Sequence, residues 1–209
     1  NLYLHLQKDA KTFIKFCHQF FVSENNIAEN YYELRKQLNE TEDKQLRAAL
    51  FLYINKHCFN GLCRYNKKGG FNVPFGRYKK IYLPEERMIF FAEKAKHAKF
   101  IISDFSKTME MAKTGDVIYC DPPYVPVNDS NSSFKYEKEG FSMDQQAQLA
   151  ALAEKTANRG IPVLISNHYT DFTREIYKNA ELTTLSVKRH ISCNAEKRVE
   201  ASEVLALFK

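Results

Sequence analysis

Four consecutive residues in this 209-residue chain, Asp121-Pro122-Pro123-Tyr124, combine a carboxylate, two rigid backbone positions and an aromatic ring. They follow the β-prone run Val117-Ile118-Tyr119-Cys120, and the carboxyl end of a strand is where ligands sit in an open α/β sheet. The chemistry that suits them is methylation of an exocyclic amino group on a planar ring. Such a nitrogen is a poor nucleophile because its lone pair is delocalised into the ring. The Asp121 carboxylate and the Pro122 carbonyl could each accept one of its two N–H bonds, pulling the nitrogen toward a tetrahedral shape and freeing the lone pair to attack a sulfonium methyl. Positioning then supplies much of the rate. Neither proline offers a competing N–H, and each fixes φ, so the carbonyl is held rigidly. Tyr124 would stack on the face of a base swung out of its helix.

A second stretch could recognise rather than react. Between residues 44 and 84 there is no acidic residue, against nine basic ones, whereas the rest of the chain carries 22 basic and 25 acidic residues. The overall charge of +6 is therefore one cationic segment on a mildly acidic protein. Within it, Phe59, Tyr65, Phe71, Phe75 and Tyr78 alternate with Arg and Lys. That mixture suits a nucleic acid: cations for phosphate, Arg for a guanine edge, and rings or Leu for insertion between bases. Asn60-Gly61 and Gly69-Gly70 are turn signals, so residues 56–80 are expected to form a hairpin or long ordered loop.

The elements that must position these stretches follow from periodicity. Phe13, Ile14, Phe16, Cys17, Phe20 and Phe21, then Ile27, Tyr31, Leu34 and Leu38, then Leu46, Ala49, Leu50, Tyr53 and Ile54 recur at helical spacing. The polar gap 39–43 reads as a helix connection with Thr41 or Asp43 as N-cap. From Pro84 the pattern alternates. A helix runs to about His97, a strand spans 100–103, and a short helix covers about 107–112 ahead of the strand that ends in Asp121. Residues 128–139 are polar and read as a mobile loop over the site. Ser142-Met143-Asp144-Gln145 is a capping box opening a helix that Gly160 closes. A buried strand at 162–166, a helix at 170–177 and strands at 182–187 and 204–208 complete the chain. This predicts an α/β fold with a doubly wound sheet, divided into a helical domain at 1–84 and a catalytic α/β half at 85–209.

Composition excludes several classes. An apolar content of 44% over 209 residues supports a real core, and no run approaches the ~18 apolar residues of a membrane span. Five scattered cysteines, Cys17, Cys58, Cys63, Cys120 and Cys193, point to a reducing compartment. His57, Cys58 and Cys63 lack paired metal-ligand spacing, so no metal is assigned. Cys193, the six histidines and the C-terminal strand read as structural.

The motifs together resemble Dam-type DNA adenine methyltransferases over essentially all 209 residues. The resemblance rests on Asn60-Gly61-Leu62-Cys63-Arg64-Tyr65-Asn66, Phe71-Asn72-Val73-Pro74-Phe75-Gly76-Arg77-Tyr78-Lys79, Asp121-Pro122-Pro123-Tyr124 and Val163-Leu164-Ile165-Ser166-Asn167-His168. It implies a Rossmann-like methyltransferase sheet with a helical target-recognition insert carrying a β-hairpin. It implies transfer of a methyl group from S-adenosylmethionine to N6 of adenine, usually in GATC sites of double-stranded DNA. It makes Asp121, Pro122, Pro123 and Tyr124 the catalytic residues, Asp121 also lying near the cofactor, and puts Asp104 and Phe105 where such enzymes hold the cofactor's adenine. Phe59 would enter the duplex where relatives often carry Tyr. Leu62, Arg64, Pro74 and Tyr78 match base-reading positions, while Lys56, Asn66, Asn72, Arg77 and Lys79 would mostly hold phosphates; Asn60 is grouped with these DNA contacts. It further implies a cytoplasmic, nucleoid-associated protein with no obligate protein partner.

Family members open with a Lys-containing Gly-rich strand and a second Gly-rich loop around the cofactor, and neither pattern occurs in a sequence that begins Asn1-Leu2-Tyr3. The expectation is that these 209 residues alone bind S-adenosylmethionine poorly and that the intact protein is active. Two rivals remain: a non-catalytic DNA-binding remnant, and a methyltransferase acting on RNA or a protein glutamine. Enzymes of the second kind more often carry Asn in place of the motif's Asp and have less reason for an inserted base-reading hairpin.

Overall fold

The computed structural model describes residues 1–126, 141–188 and 200–209. The loop expected at 128–139 and Cys193 lie outside the described residues. The chain divides into two compact units, Asn1–Ile101 and Ile102–Lys209.

Unit 1 is helical. Helices α1 (Leu2–Cys17), α2 (Ala28–Glu40), α3 (Lys44–His57) and α4 (Glu85–Ala95) surround a core of Leu6, Phe13, Ile14, Cys17, Tyr31, Leu50, Tyr53 and Ile54. Helix α1 breaks at Asp9, whose φ of −158° is extended, and the Asp9 carboxylate accepts from the Thr12 amide to restart the helix. Of the two expected caps for α3, Asp43 serves, accepting from the Leu46 amide at 2.7 Å.

The boundary between the units differs from the expected one after residue 84. Helix α4 buries Met88, Ala92 and Ala95 against α1, and the Gln7 amide of α1 donates to the Ala98 carbonyl just past its end at 2.7 Å. A helix whose apolar stripe and terminal carbonyls are both satisfied by the helical bundle belongs to that bundle.

Unit 2 is mixed α/β. Its strands are β1 (Ile118–Cys120), β2 (Val163–His168), β3 (Glu181–Lys188) and β4 (Glu200–Phe208), and its helices are α5 (Phe105–Met111), α6 (Met143–Ala157) and α7 (Asp171–Ile176). The sheet order is β1-β2-β4-β3. Strands β1 and β2 run parallel across the α6 crossover, with Cys120 beside Ile165, and the β2–β4 and β4–β3 pairs are antiparallel. The described sheet is thus mixed, not the purely parallel one of a doubly wound core. The capping box at α6 forms as expected: Ser142 accepts from the Gln145 amide, and the Gln145 side chain accepts from the Ser142 amide. Gly160, at φ +78°, ends the turn after that helix in the left-handed region open to glycine.

The strand expected at 100–103 does not form. Ile101 and Ile102 are exposed in an irregular segment at the junction of the units. An apolar run becomes a strand only where a neighbouring strand takes up its amides and carbonyls, and among the described residues none pairs with it.

Candidate active site and nucleic-acid interface

The turn after β1 is built on its neighbours rather than on itself. Ser166 on β2 sits across from the end of β1, and its hydroxyl donates to Asp121 Oδ1 at 3.0 Å while standing 3.0 Å from the Tyr119 hydroxyl. One Asp121 oxygen is thereby fixed, while the residue stays exposed to solvent. Two residues on, Gln146 of α6 donates from Nε2 to the Pro123 carbonyl at 2.6 Å. Val125 is buried and both of its main-chain polar groups are taken: its amide donates to Asn167 Oδ1 at 2.9 Å, and its carbonyl accepts from His168 Nδ1 at 2.6 Å. Tyr124 lies between these ties, half-buried, edge-on to the His168 ring at 4.9 Å. Burial pushes its hydroxyl pKa up, so it stays neutral and able to donate at physiological pH.

Behind the turn the polar groups close on one another. Asn167 Nδ2 donates to Gln146 Oε1 at 3.0 Å and to the Tyr177 hydroxyl at 3.1 Å. Gln146 is 1% exposed, and Asn167 and Tyr177 are fully buried. Desolvation raises Tyr177 to about 12 and the Cys120 thiol to about 11, so both remain neutral. Sequence reasoning assigned no role to Gln146, Ser166, Asn167, His168 or Tyr177. The signal available was a polar triplet, Ser166-Asn167-His168, at the carboxyl end of an otherwise apolar strand, where buried polar side chains need partners.

Asp104 caps α5, accepting from the Ser106 amide at 2.9 Å; the Ser106 hydrogen bonds hold its carboxyl below the usual carboxylate range. Phe105 meets the Phe141 ring at 5.3 Å.

The basic stretch in unit 1 is ordered but largely irregular. Instead of a continuous hairpin, it contains two isolated antiparallel bridges, Cys58 with Phe75 and Tyr65 with Phe71, and one 3₁₀ turn at Phe59–Gly61. Two residues have left-handed backbones, Asn60 at φ +53° and Arg77 at φ +56°. Asn adopts that region readily, whereas for Arg it costs about 1 kcal/mol or more and persists only where surroundings impose it. The chain is tightly packed just before Arg77: a Cβ at Gly76 would lie 2.7 Å from the Cys58 carbonyl oxygen and 2.5 Å from the Tyr78 ring.

Helix α2 anchors this loop from behind through residues four apart. Tyr31 and Arg35 both donate to the Val73 carbonyl, at 3.0 and 2.9 Å. Asn39 accepts from the Phe71 amide at 2.7 Å and donates to its carbonyl at 3.2 Å. Buried Phe71 and Val73 seal the same side. The opposite side is open: Phe59 is 46%, Leu62 42% and Tyr78 41% exposed, and Lys56, Asn60, Arg64, Pro74, Arg77 and Lys79 are exposed as well. Asn66 spends its side-chain oxygen on the Lys68 and Gly70 amides. Arg64 Nε donates to Asn72 Oδ1 at 2.8 Å and its Nη2 to the Asn72 carbonyl at 3.3 Å. His57 and Cys58 face inward: the His57 ring stacks on Tyr53 at 4.2 Å and its Nδ1–H donates to the Tyr53 carbonyl. Among the described residues no group of three or more metal-ligating side chains assembles, and no helix is long and apolar enough to cross a membrane.

A mixed α/β unit presenting Asp-Pro-Pro-Tyr at a strand's carboxyl end, in a chain with a cationic loop in its helical unit, defines a methyltransferase of exocyclic amines. Residues 1–191 match the family of D12 class N6 adenine-specific DNA methyltransferases, and the chain belongs to that family. It is similar to the DNA adenine methylase of Vibrio cholerae serotype O1, with 49% identity over all 209 residues and 76% of that protein's length. Those of Escherichia coli K12 and Serratia marcescens are 45% and 43% identical, each over the whole of this chain and over 75% and 78% of their own lengths. The chain is therefore an adenine-specific DNA methyltransferase, with DNA as substrate and a methyl donor required.

Proposed function

We propose that the enzyme takes its methyl group from S-adenosylmethionine and delivers it to an adenine everted from duplex DNA, at GATC sites, with Asp121 and Pro122 gripping the amine. The observation that carries this reading is the Ser166 bond to Asp121 Oδ1 beside the occupied Pro123 carbonyl. It leaves the second Asp121 oxygen and the Pro122 carbonyl as neighbouring acceptors for the two N6 hydrogens. Withdrawing those hydrogens localises the nitrogen lone pair, which is where charge develops in the transition state. Tyr124, flanked by fixed main chain on both sides, stacks against the everted ring.

The residues present suit the donor. An adenosyl group asks for an apolar wall and a hydrogen-bond acceptor, and a sulfonium asks for negative charge. Phe105 beside Phe141 is a wall of that kind, Asp104 stays ionised, and Asp121 supplies an anion. When bound, S-adenosylmethionine supplies an electrophilic methyl group.

Recognition is assigned to residues 56–80. Phe59 inserts into the duplex; Leu62, Arg64, Pro74 and Tyr78 meet base edges; Lys56, Asn66, Asn72, Arg77 and Lys79 mostly hold phosphates, and Asn60 is a further DNA contact. We further read the α/β unit as part of a Rossmann-like sheet and unit 1 as the target-recognition insert.

The test uses the intact enzyme and its Asp121→Ala variant on GATC and scrambled duplexes, with 2-aminopurine fluorescence at the target position to report eversion. The expected outcome is a fall of at least 10²–10³-fold in single-turnover methyl transfer, with eversion confined to GATC. Unchanged transfer by the variant would defeat the assignment of the turn, and equal eversion in scrambled DNA would defeat the assignment of the site.

A further inference from the structure

Asn167 uses its full hydrogen-bonding capacity, and that fixes which way its amide points. Its oxygen accepts from the Val125 and His168 amides, both at 2.9 Å, and its two N–H bonds go to Gln146 Oε1 and the Tyr177 hydroxyl. Turning the amide over would set N–H against N–H at Val125 and His168, so the orientation is determined by the partners. Gln146 inherits that order: its oxygen faces Asn167, so its nitrogen must face the Pro123 carbonyl, where it stands at 2.6 Å. Both side chains are at least 99% buried. Breaking a bond to either buried amide leaves one of its groups unsatisfied.

We propose that Gln146 and Asn167 are positioning residues for methyl transfer, a buried amide pair that fixes the main chain at Pro123 and Val125 and so aims the Pro122 carbonyl. The inference rests on the assignment of Pro122 as an acceptor for N6 but concerns residues that never meet the substrate. Proline restricts φ at residues 122 and 123, and Pro123 also confines ψ at residue 122 to the extended region, so the two prolines form one stiff unit. The direction in which that unit points its Pro122 carbonyl is set by what holds the peptides that follow it. Gln146 binds the Pro123 carbonyl and Asn167 the Val125 amide, bracketing Tyr124, so rotation of the turn would break bonds at two points. Misalignment of about 1 Å in such an acceptor costs on the order of 100-fold in rate, whereas base insertion and phosphate contacts, made by residues 56–80, are untouched.

The discriminating variant is Gln146→Glu in the intact enzyme, which keeps an oxygen for Asn167 and replaces only the donor to Pro123. At pH 8 its single-turnover rate should fall about 10–100-fold, with DNA affinity and the 2-aminopurine signal unchanged. As pH falls toward 6 the buried carboxyl takes up a proton, becomes a donor again, and the variant-to-wild-type ratio should climb back toward one. Asp121, His168 and Tyr177 face the network in both proteins, and Gln146→Leu, which adds no charge beside them, separates the lost donor from the effect of the new carboxylate. Gln146→Leu, with no donor at any pH, should show the loss without the recovery. A Gln146→Glu rate equal to wild type at pH 8, or a loss that is flat with pH and shared with weakened DNA binding, would overturn the proposal. An active Asp121→Ala enzyme would instead sink the underlying assignment of the turn, so the two failures are told apart.

Discussion

The turn at residues 121–125 of unit 2 and the loop at residues 56–80 of unit 1 are both irregular chain held largely by side chains from regular elements, yet they are held differently. Around residues 121–125 the ties come from β2 and α6 and run inward to a buried pair of neutral amides, Gln146 and Asn167, bonded to each other. Around residues 56–80 α2 grips the backbone at Phe71 and Val73, Asn26 and Asn55 donate to the Tyr78 and Gly61 carbonyls, and the other side is left in solvent. In the proposed function the turn presents two acceptors to one nitrogen and gains from being held at several points, because the rate depends steeply on placement. In the proposed function the loop fits a groove and a phosphate chain, which asks for a fixed backbone with side chains exposed to the partner.

The largest effect is expected at Gly76, where two passes of the loop pack too closely to admit a Cβ. Gly76→Ala should displace residues 57–78, cost about 1–3 kcal/mol of stability and abolish DNA binding. A variant with wild-type melting temperature and binding would show that the loop's path does not depend on that contact.

Within the loop, Arg64→Ala should lose about 1–3 kcal/mol of discrimination between cognate and altered sites. Lys79→Ala should weaken all duplexes alike and flatten the dependence of binding on salt. Equal losses on both duplexes for both variants would erase the division between reading and holding.

A smaller effect separates the two regions by their kinetics. Asn39→Ala removes the paired bonds to Phe71 and should cost about 1–2 kcal/mol, appearing in DNA affinity while the rate from the bound complex holds. The Gln146 variants should do the converse. If Asn39→Ala slows transfer from a saturated complex, the two anchoring systems are not independent.

The smallest effect is a pH dependence of folding. Burial lowers the His57 pKa in the folded protein. The unfolded chain therefore binds the proton more readily, and the stability this contributes is present above the unfolded value near 6.5 and lost as pH falls below it. The melting temperature should decline from pH 7 to pH 5, and His57→Phe should flatten that decline while lowering the plateau. An unaltered slope in the variant would remove His57 as the cause.

The motifs that make up the candidate site are local in sequence. Asp121-Pro122-Pro123-Tyr124 is contiguous, and the loop's cations and rings lie within 25 residues, so both register as local patterns. The helices of unit 1 and the capping boxes of unit 2 are equally local, set by spacing and by side chains that reach three or four residues. The apolar run at 100–103 misled because strand formation requires a neighbour that local pattern does not reveal. Helix α4 joined the helical unit for the same kind of reason: its amphipathic face was evident in sequence, but not which core it would cover.

Sequence alone determined which chemical groups stand beside one another along the chain: the carboxylate with its prolines, and the basic residues with their aromatics. Tertiary structure decided what holds them. The bonds from Asn167 to Val125 and from Gln146 to Pro123 span 42 and 23 residues, and that from Asn39 to Phe71 spans 32. Contacts of that range leave no periodic trace, because a buried amide's partner is chosen by the fold that removes both from water.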